Sequence, residues 1–536
     1  MFKKLIFITI FIGILIRIIG INVFPVGLNC DEASAAYDAY SILTTLRDRN
    51  NIFLPVYLMA WGSGQSALLT YLMLPFIKIL GLNLISTRLP MAIVSSISLI
   101  VFYKILKMSF DEKDNNKDFY VFFGTLFFAL NPWHIMKSRW GLDCNLFPDL
   151  VLFGMYFLIN YFKSSEKKDI YYVLAFVLFA ISAYSYASAY LFLAIFCICI
   201  FIYGLRNHRL NKKHLVLAVS ITILIAWPLI LFIVVNFFDL KSIELAFMTI
   251  PRLRGNRMLS HSILSNDNVL LSLFNNIISS FKLYIFQYDA YYWNGIKGIG
   301  MYYLFSFQVF IVGITNYIKG LVFSDYKKEN IVDRVFFIWF ISGFVSNLFH
   351  LSININRGNI IIIPLVYFII KGFHLLFYKK IMRGISILLL LISFTYFSYL
   401  YIDGNIKKEN SILIEGINSN YTECFAVGLE PVITYADGIG AKEVVFYSDV
   451  KESYIYVLYY LKTNPQVFYK TRKLYDDDII FDAVKSFDKW RFDRPDSLAM
   501  DKNHVYIFEK EILPIIDTNY FDVKEINDYI VVQYKG

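Results

Sequence analysis

The sequence predicts a polytopic α-helical membrane protein that carries a soluble α/β domain at its C-terminal end, and three observations predict it. The 536 residues are 57% hydrophobic and 18% aromatic but 17% charged, with a mean hydropathy of +0.53, far from the composition of soluble globular domains. Apolar runs of about 20 residues, enough to cross a bilayer at the helical rise, recur as far as residue 401. Beyond that point the pattern changes to short alternating runs bounded by turn residues. The expected organisation is a transmembrane domain over residues 1–402 and an α/β domain over residues 403–536.

The first run, MFKKLIFITIFIGILIRIIGI, has the basic start of a signal peptide. It lacks a small-residue cleavage site and continues straight into charged sequence, so it reads as a retained first span, 4–24, with Lys3 and Lys4 cytoplasmic. Further spans are expected at 84–106, 118–134, 145–162, 169–186, 188–204, 214–236, 299–318, 332–350, 358–378 and 383–401, about eleven in all. Residues 66–80, SALLTYLMLPFIKIL, form a shorter run that holds Pro75 and Lys78. If this run does not cross, the basic clusters at 163–168, 206–213, 319–328 and 379–383 all share the side of Lys3 and Lys4; if it crosses, all four lie opposite. An in-plane or re-entrant segment is therefore expected. Residues 25–83, the loops 135–144 and 237–298, and everything after 401 then face outward from the cell membrane.

In the tail, EVVFYSD, HVYIFEKE, FDVKEI and YIVVQYKG read as strands and SYIYVLYYLK as a helix. It has no metal or nucleotide motif, which points to an accessory or acceptor-recognition role. The net charge of +9 comes from clusters between spans, so topology explains it and nucleic-acid binding does not. The five cysteines, Cys30, Cys144, Cys197, Cys199 and Cys424, have no paired CxxC spacing and define no disulfide framework.

Chemistry concentrates first in NCDEASAAYDAY. Asn29 and Glu32 have the spacing of a capping box at the head of a helix. Asp31, at the second helical position, is favoured as a carboxylate by the helix dipole and can act as a general base or as a metal ligand. A second acid, Asp143, lies four residues beyond Arg139 in NPWHIMKSRWGLDCNLFPDL. Asp149 competes with it, but a carboxylate near a helix start has a structural explanation. Asp31 and Asp143 are also candidate ligands for a divalent metal ion. The neighbouring Cys30 and Cys144 can pair, join a metal site, or serve as ordinary buried thiols.

An anionic partner needs outward cations. Arg357, in NINRGNIIIIPL, sits where a guanidinium can fork onto a lipid phosphate, or simply snorkel to the interface. Arg139, Lys137 and Arg88 are further candidates for such a lipid phosphate. Arg252, Arg254 and Arg257 lie on the long loop 237–298, which can close over a head group. Trp61, Trp133, Trp140 and the run YDAYYW at 288–293, with Tyr291, can stack on sugar or form an interfacial aromatic belt. Gln65, in WGSGQSALL, is a candidate acceptor or sugar contact.

Together with RLP at 88–90 opening the next span, and with SR followed by Asp143, the acidic pair after the first helix resembles the GT-C class of integral-membrane glycosyltransferases. The likeness is greatest to the family of dolichyl-phosphate-mannose protein mannosyltransferases and bacterial lipid A aminoarabinose transferases. It covers about the first 160 residues, and the later helices by architecture, with Arg357 and Pro364 similar to a family arginine on a late helix. The His-Pro-Pro signature of the mannosyltransferases is absent, and WGSGQS stands near its place. The resemblance implies a GT-C-like fold with juxtamembrane helices, a polyprenyl-phosphate sugar donor, and transfer on the outer face. It implies Asp31 as base, Glu32 as its support, Asp143 as second acidic contact, and Arg357 with Arg139 on the phosphate.

The expected reaction is a single inverting displacement by a hexosyl- or pentosyltransferase acting on a lipid, cell-wall polymer or protein acceptor. The chemistry is coherent without the likeness, because a lipid phosphate is a good leaving group and the protein need only deprotonate and orient the acceptor. The alternative is a lipid or polysaccharide transporter, which calls for midplane acids and repeat symmetry that the sequence does not display.

Overall fold

A computed structural model describes the chain except residues 63, 165, 167, 255–261, 264–267, 290, 292, 324–329, 407–424, 449, 451 and 476–482. Arg257, Cys424 and parts of the stretches 288–293 and 319–328 therefore lie outside the described residues.

Helices dominate up to residue 406. In chain order they are α1 Phe2–Ile18, α2 Cys30–Thr45, α3 Leu68–Leu80, α4 Leu84–Ser109, α5 Lys117–Ala129, α6 Pro132–Ser138, α7 Leu146–Lys163 and α8 Asp169–Ser182. There follow α9 Ala189–Arg206, α10 Lys212–Phe237, α11 Val269–Phe286, α12 Ser306–Phe323, α13 Ile331–Asn347, α14 Ile355–Gly358, α15 Ile362–Leu376 and α16 Lys380–Ile406. Among the described residues seven helices are long and apolar enough to cross a membrane, or eight if α5 and α6, bent by 51°, make one span. The protein is a multi-pass membrane protein. Of the other expected spans, α1 and α13 have 17 residues each, while α8 and Ser306–Val322 are shorter apolar helices. The segment expected not to cross is α3, whose 13 residues make a helix about 20 Å long, well under the hydrocarbon thickness.

One expectation is corrected. Residues 237–298 are not an open loop: they contain the hairpin β3 Ile243–Leu245 and β4 Met248–Ile250, and α11, itself long and apolar enough to span. Asn275, Asn276, Ser279, Ser280 and Lys282 dilute that run in the sequence, while Asn268 caps it by accepting from the Leu271 N–H.

The chain divides into two compact units. The helical unit comprises Met1–Gly20, Met91–Ile230 and Arg257–Ile414. Its core is rich in aromatic rings, among them stacked pairs of Phe102 with Phe128 and of Phe336 with Tyr367. The backbones of α12 and α15 approach closely at two glycines: a Cβ on Gly313 would lie 2.1 Å from the Phe368 carbonyl oxygen, and one on Gly372 would lie 2.1 Å from that of Val309. Small residues at such crossings let membrane helices pack.

The mixed unit comprises Ile21–Pro90, Leu231–Asn256 and Glu415–Gly536. It holds α2, α3 and the short pair β1 Tyr57–Leu58 and β2 Gln65–Ser66. Its C-terminal part has α17 Leu429–Gly438, α18 Ser453–Tyr460, α19 Pro465–Thr471 and the strands β5 Glu443–Phe446, β6 Lys473–Leu474, β7 Val484–Phe487, β8 Trp490–Arg491, β9 His504–Glu509, β10 Phe521–Ile526 and β11 Tyr529–Tyr534. These strands form one sheet in the order β10-β11-β9-β5-β8-β7-β6, with β5 parallel to β8 and β9. The runs read as strands in the sequence, and the helix at SYIYVLYY, are all present. Val445, Tyr506, Phe508, Phe521, Ile530 and Val532 make a core on this sheet.

Residues distant in sequence are tied together inside this unit. The Leu28 N–H donates to the Phe425 carbonyl at 2.7 Å, and Gly27, at φ +82°, leaves no room there for a Cβ. Tyr37 Oη donates to the Thr463 carbonyl at 2.7 Å. Thr87 Oγ1 meets Tyr459 Oη at 3.0 Å, and Arg472 Nη1 donates to Asn50 Oδ1 at 2.7 Å.

Candidate active site

The head of α2 is built as its residues dictate. Asn29 Oδ1 accepts from the Asp31 N–H at 2.8 Å, and the Glu32 carboxylate accepts from the Asn29 N–H at 3.3 Å, completing the capping box. Glu32 is fully buried, which its second partner makes tolerable. Arg88 Nε donates to Glu32 Oε1 and Nη2 to Oε2, both at 2.9 Å.

That pairing corrects the role expected for Arg88. Its remaining donors go to the carbonyls of Ile21, Pro25 and Gly27, so all five guanidinium N–H groups are engaged and none is left for a donor phosphate. Arg88 fixes the chain between α1 and α2.

Asp31 is half-buried beside it. The indole Nε1–H of Trp61 donates to Asp31 Oδ1 at 2.7 Å, and Gln65 Nε2 donates to the Asp31 carbonyl at 3.3 Å. Gln65 Oε1 is buried with no hydrogen-bond partner among the described residues, leaving an unused acceptor on the side chain that holds the Asp31 backbone carbonyl. The structure thus brings Asp31, Trp61 and Gln65 together, with Glu32 and Arg88 behind them.

Sequence reasoning missed a buried cluster on the same helix. Asp38 accepts from the Arg49 N–H at 3.0 Å and from Arg49 Nη1 at 2.9 Å, and that nitrogen also donates to Ser34 Oγ at 2.6 Å. Asp48 Oδ1 accepts from the N–H groups of Asn50 and Ile52, while its Oδ2 is buried without a partner among the described residues. Burial, and secondarily Asp38, push the Asp48 carboxyl up to about 8. Burial also raises Asp38, against the pull of Arg49. The signal was present in YDAY, inside α2, and in RDRN, just beyond its end, as acids and arginines close together in the sequence.

The other predicted residues belong to the helical unit. Asp143 opens the short turn Asp143–Asn145 and accepts from the Cys144 N–H at 2.7 Å. Asn359 Nδ2 holds the Cys144 carbonyl at 2.9 Å. Arg139 reaches back to the end of α1, where Nη1 donates to the Ile16 carbonyl and Nη2 to that of Ile19. Arg357, half-buried on α14, donates through Nη1 to Ser352 Oγ at 2.7 Å. Tyr291 is 43% exposed and stacks on Trp293 at 4.8 Å, which in turn meets Trp140 edge-on at 6.2 Å. A further acid, Asp289, ties this stretch to α14: its Oδ2 accepts from the Ile355 N–H at 2.9 Å and from Asn294 Nδ2 at 3.0 Å. Burial raises its carboxyl above the usual range.

Lys137, weighed as a phosphate contact, is instead part of a buried network around the α5–α6 bend. Its Nζ lies 2.6 Å from Asp149 Oδ2, which also accepts from Ser95 Oγ at 3.0 Å. His134 Nε2 meets Ser98 Oγ at 2.9 Å and Asp149 Oδ1 at 3.4 Å. Arg17 Nη2 lies 2.8 Å from His134 Nδ1, and because a guanidinium only donates, Nδ1 accepts there. Pro132 interrupts the helix, and Arg17 takes up the carbonyls of Phe128 and Ala129 at the break. A lone arginine within an apolar span was the overlooked sign.

Cys30 and Cys144 both carry thiols. Among the described residues no three His, Cys, Asp or Glu side chains gather to hold a metal ion. The divalent ion expected from the sequence would rest on the two carboxylates of Asp31 and Asp143, one in each unit.

No family model matches the sequence, and no curated protein does. Among solved structures the chain is similar to ArnT from Cupriavidus metallidurans in the apo state, at 13% identity and a TM-score of 0.56, over 99% of this chain and 98% of that one. It is similar to ArnT bound to undecaprenyl phosphate at 10% identity and a TM-score of 0.53, over 98% and 97% of the two chains. The oligosaccharyltransferase of Archaeoglobus fulgidus, in complex with Zn and sulfate, matches at 12% identity and a TM-score of 0.50, over 84% of this chain and 61% of that chain. The expected GT-C fold is the fold of this chain.

Proposed function

We propose that the protein is an integral-membrane glycosyltransferase. It takes a hexosyl or pentosyl group from a polyprenyl-phosphate donor and transfers it, at the outer face of the membrane, to a lipid, cell-wall polymer or protein acceptor. The observation that carries this reading is the end-to-end likeness to ArnT, a protein solved with undecaprenyl phosphate bound. The half-buried Asp31 carboxylate at the head of α2 supplies the base that such chemistry needs.

In this reading Asp31 takes the proton of an acceptor hydroxyl or amine while the acceptor atom attacks the anomeric carbon. The bond from that carbon to the phosphate oxygen breaks, its electron pair leaves with the polyprenyl phosphate, and the anomeric centre inverts. Gln65 Oε1 is proposed to receive a hydrogen bond from the acceptor, and the exposed Tyr291 ring to offer a face to sugar. Arg357 is the cation proposed for the donor phosphate. Arg139, anchored on α1, is proposed to add positive charge, and Asp143 to act as second acidic contact. The proposed sidedness rests on the basic clusters: Lys3 and Lys4 are cytoplasmic and α3 does not cross. Helix α11, although long and apolar enough to span, does not cross either, because a crossing there would put the clusters at 319–328 and 379–383 opposite Lys3 and Lys4; the C-terminal sheet is then outside.

The test is the Asp31→Asn protein in lipid nanodiscs. It is expected to bind undecaprenyl phosphate as wild type does while transfer falls about a hundredfold or more. Undiminished transfer refutes the role of Asp31 as base.

A further inference from the structure

Trp61 stands in a backbone conformation that a large side chain rarely adopts. Its φ is +52°, between Ala60 and a glycine, Gly62, at φ +70°. A bulky residue in the left-handed region persists where its surroundings hold it there and its side chain has a task. The surroundings are explicit. The Arg49 guanidinium lies over the Trp61 ring, 5.5 Å from its centroid, and is itself fixed by Asp38 and Ser34. Tyr454, on α18 and buried, meets the ring edge-on at 6.3 Å. The task is explicit too, because the indole N–H ends 2.7 Å from Asp31 Oδ1.

We infer that Trp61 is a positioning residue for Asp31: its indole N–H fixes one carboxylate oxygen and so aims the carboxylate at the acceptor, while Arg49 and Tyr454 clamp the ring. This rests on the proposed role of Asp31 as base. It assigns Trp61 to the carboxylate in place of the sugar contact expected from the sequence. It also gives the C-terminal α/β residues a part in the reaction, since Tyr454 contributes one jaw of the clamp. A carboxylate free to rotate loses the alignment that makes proton removal effective, and small misplacements of a catalytic group cost rate out of proportion to their size.

Two measurements on the full-length protein in nanodiscs test this. In the first, indole N–H resonances are recorded on 15N-tryptophan protein, with Trp61→Phe identifying the Trp61 peak. Loss of a charged acceptor in Asp31→Ala is expected to move that proton upfield, and an unmoved peak overturns the inference. The second measures turnover on a panel of synthetic undecaprenyl-phosphate sugars. Trp61→Phe, which keeps a ring for Arg49, is expected to lose about tenfold or more in kcat while KM for the donor changes less than about twofold. Tyr454→Ala is expected to show the same split more weakly. Full turnover in Asp31→Asn overturns the base and this inference with it; loss of turnover there together with full turnover in Trp61→Phe overturns this inference alone.

Discussion

Arg88 and Glu32 form a forked ion pair with neither side chain exposed, two bonds of 2.9 Å joining the start of α4 to the head of α2. Such a pair contributes little beyond an apolar substitute, yet removing one partner strands the other charge in the interior. Arg88→Met is therefore expected to cost about 3–5 kcal/mol. Because Arg88 also holds the carbonyls of Ile21, Pro25 and Gly27, the loss should appear first as proteolytic cleavage near residues 21–28. Arg88→Lys should rescue poorly, since an ammonium cannot fork. Limited proteolysis of the three proteins side by side checks both statements.

The Asp48 carboxyl, pushed up to about 8 by burial and by Asp38, makes stability depend on pH. A carboxyl whose folded pKa exceeds its unfolded value of about 3.9 holds its proton more tightly when folded, so its contribution is fully present below about pH 4. That contribution is lost as pH rises toward about 8 and is constant above it. Asp48→Asn is expected to flatten this slope. Thermal unfolding of wild type and variant in detergent between pH 5 and pH 8 measures it, and parallel curves would count against the assignment.

Lys137 and Asp149 offer a double-mutant cycle inside the buried core of the helical unit. Lys137→Met and Asp149→Leu are each expected to destabilise by about 3–5 kcal/mol, because each leaves an uncompensated buried charge. The double variant should be milder than the sum by about 1–3 kcal/mol. Denaturant unfolding of the four proteins gives the coupling, and strict additivity would deny it.

At the crossing of α12 and α15, a Cβ on either Gly313 or Gly372 meets backbone oxygen at 2.1 Å. Backbone cannot swing aside as a side chain can, so the helices must separate. Gly313→Ala and Gly372→Ala are each expected to cost about 1–3 kcal/mol, read as earlier thermal aggregation of the solubilised protein.

What the sequence displayed was local. The spacing of Asn29 and Glu32 announced the capping box, the apolar runs announced most helices, and alternation announced β5, β9, β10 and β11, because each is a pattern within one element. Partnerships across the chain were not visible. Nothing in RLP says that Arg88 will meet Glu32, 56 residues earlier, and Arg88 looked like a phosphate contact for that reason. Arg17 was absorbed into an apolar run although a charge in a span has to find partners, which it does at His134 and the broken end of α5. Helix α11 was hidden because its polar residues lower the hydropathy without breaking the helix.

The closures between the start and the end of the chain carry a consequence for biosynthesis. Tyr37 donates to Thr463 across 426 residues, and Leu28 is bonded to Phe425. At a synthesis rate of about 5–20 residues per second, the segment around Asp31 leaves the ribosome about 20 to 90 s before these partners exist. During that interval the nascent chain has its carboxylate but neither Phe425 beside Leu28 nor Tyr454 against Trp61. A polypeptide released early has no partner for Leu28, Tyr37 or Trp61 from the end of the chain, so truncated products would lack the completed surroundings of Asp31.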